Sequence, residues 1–162
     1  MSRATELRDE ASYDEALLQL IVALEIVFAK RQNIAESTTE RAAAVISTGS
    51  RLSFTNVCDA LGDLYEKRSR YVHQGHRSVS SDEAEAVLLL IRPVLWALMK
   101  LQTDPQRRTK ESIEAWLVHL DFASKSLLAE RDLDEKDRAF VLGSTVSAGS
   151  VRSAGSCTTP IQ

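Results

Sequence analysis

The spacing of the apolar residues is the feature that most constrains this chain of 162 residues. Between residues 54 and 72 they recur at steps of three and four, which is the period of an α-helix with one buried face. The members of this stripe are Phe54, Val57, Cys58, Leu61, Leu64, Tyr65 and Val72. Similar stripes recur along the chain, and no segment alternates apolar and polar residues convincingly enough to indicate a strand. The pattern therefore predicts an all-α protein.

Five helices are predicted when this periodicity is combined with helix start and stop signals. Their approximate ranges are 12–30, 37–49, 53–75, 82–102 and 109–130. The first two begin at S-x-x-E capping boxes, at Ser12 and Ser37, and the next stop signals are Gly49 and Gly75. The fourth helix is apolar on nearly every side, so we expect it in the middle of the structure. Short polar connections between such helices favour an up-and-down bundle.

Composition and charge indicate the domain organisation and the location. We expect a helical bundle over residues 12–130, between a flexible N-terminus over 1–11 and a frayed and disordered Ser/Thr/Gly-rich tail over 131–162. A net charge of −3 gives no overall attraction to nucleic acid or to a membrane, so a nucleic-acid site has to be a local patch. No signal peptide and no membrane span can be identified. These features favour a cytoplasmic protein with no membrane partner.

Cofactor and metal chemistry find no support in the sequence. The two cysteines, Cys58 and Cys157, have neither metal-ligand spacing nor a disulfide framework. The chain has no glycine-rich phosphate loop, no G-x-S-x-G and no H-E-x-x-H. We therefore expect no cofactor and no metal.

The third helix carries one residue that does not suit its apolar stripe. Helical spacing predicts that the position after Leu64 and Tyr65 on this stripe is Arg68. An unpaired guanidinium costs several kcal/mol to bury, so it requires a carboxylate or an open cleft. Glu25 occupies the equivalent anomalous position in the stripe of the first helix. We predict that Glu25 and Arg68 face each other, and a purely structural buried salt bridge remains the alternative.

Ser69 and His73 lie beside this arginine on the same helix. Four residues separate them, so they share one face, whereas Arg68 and His73 differ by roughly 140° around the helix axis. His73 is at the helix C-terminus, where the partial negative charge favours an imidazolium. A histidine can move the proton of an RNA 2′-OH or of the leaving 5′-oxygen, and an arginine can stabilise the charge on the phosphoryl oxygens. One histidine does not easily do both jobs, so this mechanism predicts a homodimer with a shared cleft.

Simpler interpretations stand beside this one. A single histidine at a helix end is most often a favourable C-terminal charge. The basic residues Lys67, Arg70 and Arg77 are typical of a solvated face, although they can also support RNA binding. His76 falls in a loop and can add a polar group to the rim of the site, whereas His119 is expected at the surface.

The stretch "LYEKRSRYVHQG" over residues 64–75 resembles the Arg-x4-6-His signature of HEPN domains, in the form found in the Apea-like HEPN family. Three further segments follow the order of that family: "IVALEIVFAK", "TTERAAAVIS" and "IEAWLVHLD". The resemblance covers about residues 13–122. The family's glycine pair after the histidine is here Gln74–Gly75.

This resemblance implies a helical bundle that dimerises, with Arg68 and His73 lining a composite cleft and Ser69 assisting. Glu25 and Arg41 also match positions of the family pattern. Many such domains are metal-independent endoribonucleases of toxin, abortive-infection or antiphage systems, and others only bind RNA or a nucleotide. The expected partners are therefore an RNA substrate, a second copy of the chain, and an antitoxin or an upstream sensor domain.

Overall fold

The computed structural model describes residues 3–75 and 79–144, with side chains from Tyr13 onward. It contains six helices in these ranges and no strand, which confirms the all-α bundle. They are α1 (Arg3–Phe28), α2 (Ile34–Gly49), α3 (Phe54–Gln74), α4 (Ser81–Thr103), α5 (Lys110–Leu128) and α6 (Glu135–Val141). In the described ranges no helix is both long and apolar enough to cross a membrane.

The short helix α2 occupies the middle of the bundle and contacts each of the other five described helices. Its residues Arg41 to Ile46 are all buried, and Ala42, Ala43 and Ala44 are fully inaccessible. Small side chains allow neighbouring helices to approach closely, which is why a helix of low hydrophobicity can be central. The prediction that the fourth helix lies in the middle is therefore wrong. One face of α4 packs inward, and its opposite apolar face is exposed.

Two predicted helix starts also differ from the structure. The backbone of α1 is helical from Arg3 and continues through Ser12, so the predicted flexible segment and the predicted start at Ser12 are not observed. Helix α2 begins at Ile34, after Asn33 in a left-handed conformation with φ of 58°. The Ser37 hydroxyl accepts from the Lys30 backbone N–H and donates to the Ile34 carbonyl. Ser37 thus lies within α2, where its side chain stabilises the connection between α1 and α2, and it is not the N-cap of α2.

The starts of the other predicted helices are close to their expected positions. Ser53 caps α3 by accepting from the backbone N–H of Asn56, and Thr109 caps α5 in the same way. Ser80 and Glu83 form a complete capping box at the start of α4. Side-chain oxygens satisfy free N–H groups in each case, so the local sequence alone determines these helix starts.

The bundle extends beyond the predicted limit at residue 130. Asp134 caps α6, and Leu133 and Val141 are buried in the main core. The indole Nε1 of the buried Trp116 donates to the Val141 carbonyl at 3.1 Å. The charged segment after residue 130, which was expected to fray, thus contains buried apolar residues that belong to the core. The remainder of the predicted tail, residues 145–162, lies outside the described residues.

Candidate functional site at the end of helix α3

The candidate site lies on the last turns of α3, which ends by a glycine cap. Gly75 has φ of +63°, and its N–H donates to the Tyr71 carbonyl at 3.0 Å. This left-handed conformation favours glycine at the residue after the helix. Gln74 is still helical, so a second glycine is not needed to close this helix. The difference from the family's glycine pair leaves the helix end intact.

The predicted pairing of Glu25 with Arg68 is present. Arg68 Nη1 lies 3.8 Å from Glu25 Oε1, with side chains 33% and 20% exposed. This distance makes an ion pair but exceeds that of a hydrogen bond. The Arg68 Nε group is buried and has no hydrogen-bond partner among the described residues. The guanidinium is therefore held beside a carboxylate; its buried Nε is not accessible to a ligand, whereas the Nη groups of the partly exposed side chain can bind another group.

Two hydroxyl groups that the sequence analysis did not identify adjoin this pair. Thr38 of α2 is buried, and the Tyr65 hydroxyl oxygen is buried as well. Neither hydroxyl oxygen makes a hydrogen bond with a described residue. Burial is the main cause that raises the pKa of Tyr65; the nearby Glu25 carboxylate raises it further, and the nearby Thr38 hydroxyl and Arg68 charge lower it. These four residues form one polar group where α1, α2 and α3 meet, and we refer to it as the Arg68 cluster. Tyr65 and Thr38 each resemble ordinary core positions in sequence, so no motif identified them.

Ser69 and His73 are both exposed on α3, beside the Arg68 cluster. Val72, the last member of the predicted apolar stripe, is 52% exposed. The final turn of α3 therefore projects beyond the core, which leaves its side chains accessible to a large ligand. Four residues separate Ser69 from His73, so the two side chains lie roughly 40° apart around the helix. His76 and Arg77 lie outside the described residues.

Lys67 and Arg70 lie on a different side of α3 from Arg68. Lys67 forms a close ion pair with Glu83 of α4, and Arg70 pairs with Glu66 one turn earlier. Both basic residues line a groove of about 450 Å³ between α3 and α4. Hydrogen bonding to Lys67 and to the Ser80 backbone holds the pKa of Glu83 below its ordinary value. The proposed RNA-supporting charges are thus already partly neutralised by carboxylates.

Arg41, the second position carried over from the family pattern, belongs to a separate network. Its side chain is 7% exposed and makes two hydrogen bonds to Asp121 of α5, with Nε–Oδ1 of 2.8 Å and Nη2–Oδ2 of 3.0 Å. Its Nη1 donates to the Phe28 carbonyl at the end of α1, also at 2.8 Å. Lys30 adds an ion pair to Asp121 at 3.0 Å. These contacts give Arg41 a structural role that joins three helices.

Within the described ranges, no group of three or more His, Cys, Asp and Glu side chains is arranged to hold a metal ion. The arrangement on α3 instead offers a positioned guanidinium, a hydroxyl and an imidazole. Such groups can bind a phosphate and transfer a proton. In one chain Arg68 and His73 diverge by roughly 140° around the helix. Comparison with protein-family models, with curated proteins and with solved structures gives no match for this chain.

Proposed function

We propose that this protein is a metal-independent HEPN-type endoribonuclease that acts as a homodimer in the cytoplasm. Its setting is that of a toxin or an antiphage defence protein controlled by an antitoxin or a sensor domain. The observation that carries the proposal is the state of Arg68. Glu25 keeps this partly exposed guanidinium at the edge of the bundle, and their 3.8 Å ion pair is too long to be a hydrogen bond, so the Nη groups can still bind an anionic ligand.

The reaction is an internal transfer at one phosphodiester. The RNA 2′-oxygen attacks the adjacent phosphorus and loses its proton to a base, and the bond from phosphorus to the 5′-oxygen breaks as that oxygen gains a proton. The products are a 2′,3′-cyclic phosphate and a free 5′-hydroxyl, so no water or oxidant is consumed. His73 is the acid or base, Arg68 stabilises the phosphoryl oxygens, and Ser69 orients the phosphate by hydrogen bonding.

A second copy completes this chemistry. Two imidazoles are required if one takes the 2′-OH proton while the other gives a proton to the leaving oxygen. Exposure of the last turn of α3 makes it available for such pairing. Lys67, Arg70, His76 and Arg77 would contribute by attracting the RNA backbone, with Lys67 and Arg70 weakened by their carboxylate partners.

The test is cleavage of end-labelled RNA by the purified protein in the presence of a chelator. We expect wild-type protein to release fragments ending in a 2′,3′-cyclic phosphate. Arg68→Ala and His73→Ala are expected to reduce the rate by about 100-fold or more, as losses of a charge-stabilising group or of a general acid–base do. Arg51→Ala, at an exposed position, is the matched control for arginine removal, and circular dichroism with thermal unfolding checks the folding of each variant. Activity that persists in both site variants would contradict the proposal.

The second candidate is a binding or dimerisation module that uses the same residues without catalysis. The Glu25–Arg68 ion pair favours it, because this contact connects α1 and α3 without any ligand. Gel-shift measurements with the same variants separate the two functions. RNA retention that depends on Arg68 but produces no fragments would support the module. Unfolding of Arg68→Ala without any RNA binding by the wild type would indicate a structural salt bridge.

A further inference from the structure

The Glu25 carboxylate has two hydrogen-bond donors beside it, of which only one is charged. The guanidinium of Arg68 forms the 3.8 Å ion pair with its Oε1 atom. The second donor is the hydroxyl of Tyr65, which precedes Arg68 by three residues and therefore lies on the same side of α3. Tyr65 also packs against the buried cluster that contains Ile21, one helical turn before Glu25. Two donors can therefore serve this carboxylate.

The Tyr65 hydroxyl is buried, yet no described residue forms a hydrogen bond with it. The same is true of the hydroxyl of Thr38, which approaches the Arg68 cluster from α2. Leaving a buried hydroxyl unpaired is costly, so native proteins rarely do so without a functional reason. Two unpaired hydroxyls beside one ion pair indicate that they form their hydrogen bonds in a second arrangement of the cluster.

The chemistry of these groups defines the second arrangement. A phenol hydroxyl can donate to a carboxylate and accept from another hydroxyl at the same time, so Thr38 can donate to Tyr65 while Tyr65 donates to Glu25. Burial is the main cause of the raised pKa of Tyr65, and two smaller influences agree with these directions. The Thr38 hydroxyl lowers this pKa, as a donor does, and Glu25 raises it, as an acceptor does. The two hydroxyls can thus give Glu25 a hydrogen bond in place of the Arg68 charge.

We propose that Tyr65 is a positioning residue that replaces Arg68 as the partner of Glu25 when Arg68 binds a phosphate. Without a ligand, the ion pair with Glu25 holds the guanidinium in place. A phosphate that draws the Nη groups away would leave a mostly buried carboxylate without a partner, which opposes binding. Donation by Tyr65 removes this penalty, and no proton is transferred. The phosphate-binding step rests on the proposed function, whereas the exchange of partners at Glu25 is a property of the bundle.

The exchange predicts that two substitutions depend on each other. Tyr65→Phe keeps the ring but removes the donor, so Glu25 competes more strongly with the ligand for Arg68. Glu25→Gln removes the negative charge, so Arg68 can bind the ligand without help from Tyr65. Tyr65→Phe should therefore weaken ligand binding only where the carboxylate of Glu25 is present. A tyrosine ring that only fills space would give the same effect in both backgrounds.

The first experiment measures the exchange without RNA. Urea unfolding followed by circular dichroism determines the effect of Tyr65→Phe in the wild type and in Arg68→Met. In the wild type, Tyr65→Phe should raise the unfolding equilibrium constant by no more than about twofold, because the lost hydroxyl is unpaired. In Arg68→Met it should raise that constant by at least about fivefold, because Tyr65 is then the donor to Glu25. The same comparison in Arg68→Gln keeps the test decisive where Arg68→Met does not fold.

The second experiment measures affinity for an RNA whose 2′-oxygens are methylated, so that it cannot be cleaved. Fluorescence anisotropy should show that Tyr65→Phe raises the dissociation constant by at least about fivefold in the wild type and by less than about twofold in Glu25→Gln. Tyr13→Phe is the matched control, because Tyr13 lies on α1 about three helical turns before Glu25. It should bind RNA as the wild type does.

Each proposal can fail without the other. Equal effects of Tyr65→Phe on unfolding with and without Arg68 overturn the exchange, and so does an equal loss of RNA affinity in the wild type and in Glu25→Gln. Cleavage is measured separately on unmodified RNA. Cleavage without coupling between Tyr65 and Arg68 would reject the exchange and keep the ribonuclease. Coupling without binding or cleavage of RNA would support the exchange and reject the ribonuclease.

Discussion

Arg41 in α2 donates two parallel hydrogen bonds, of 2.8 and 3.0 Å, to the carboxylate of Asp121 in α5. Its third nitrogen, Nη1, donates to the Phe28 carbonyl at the end of α1. The guanidinium thereby satisfies a backbone group that the end of α1 leaves free. Planar two-point contacts of this kind are stronger than neutral hydrogen bonds and fix geometry. Three helices are thus joined by one buried side chain.

Replacement of Arg41 by methionine should lower the free energy of unfolding by about 2–3 kcal/mol, because it leaves Asp121 and the Phe28 carbonyl without their main partner. Urea denaturation followed by circular dichroism measures the change. Arg51→Met, at an exposed loop position, should change stability by less than about 0.5 kcal/mol. Equal effects of the two substitutions would show that the Arg41 network is not stabilising.

The same network should give a pH-dependent contribution to stability. Burial tends to raise the pKa of Asp121, but the hydrogen bonds and charges of Arg41 and Lys30 outweigh it and lower the pKa below its ordinary value. A lowered folded-state pKa means that the stabilisation is complete above the ordinary value of 3.8 and is lost as the pH falls through the folded-state pKa. The stability difference between wild type and Asp121→Asn should therefore be largest near neutral pH and shrink in acid. A difference that is constant from about pH 7 to pH 3 would contradict this.

Cys58 should be an unreactive thiol in the folded protein. Burial, with added repulsion from Glu40 and Asp59, raises its pKa to about 11 from 9.0. Because the thiolate is the reactive form, the reaction of Cys58 with a disulfide reagent at pH 8 should be about ten- to a hundred-fold slower than in denaturant. The measurement uses Cys157→Ser, so that Cys58 is the only thiol left in the chain. A folded-state rate that levels off near pH 9 would contradict the raised pKa.

Two glycines should respond to alanine in opposite directions. A side chain at Gly62, within α3, would meet no atom within 4 Å, so Gly62→Ala should stabilise the protein by about 0.5–1 kcal/mol through helix propensity. Gly143 has φ of +71°, and an added Cβ would lie 2.7 Å from the Ala97 carbonyl oxygen. Gly143→Ala should therefore cost more than about 1 kcal/mol. Thermal unfolding of both variants tests this, and stabilisation by Gly143→Ala would show that the chain does not pack there as described.

Local signals identified much of the fold. Ser53, Thr109 and Gly75 determine where helices begin or end through hydrogen bonds and conformations available to the residues themselves. Helical spacing identified Arg68 and Glu25 as charged residues within apolar stripes and predicted that they pair. The ion pair between them is present. Ser12 and Ser37 show the limit of such signals. The same S-x-x-E spacing fits a helix start and a helix interior, and the surrounding contacts select between them.

The sequence by itself determined the helical class, most helix ends and the polar residues of α3, because these depend on periodicity and on bonds between near neighbours. Only the tertiary structure decided which helix is central, which apolar face of α4 is covered, and which residues surround Arg68. Hydrophobicity does not reveal that the alanines of α2 allow close approach, and no spacing rule connects Thr38 or Asp121 to residues far away in the chain. Those relationships arise only when separate helices pack together. They determine which polar groups are paired within the protein and which remain accessible to a ligand.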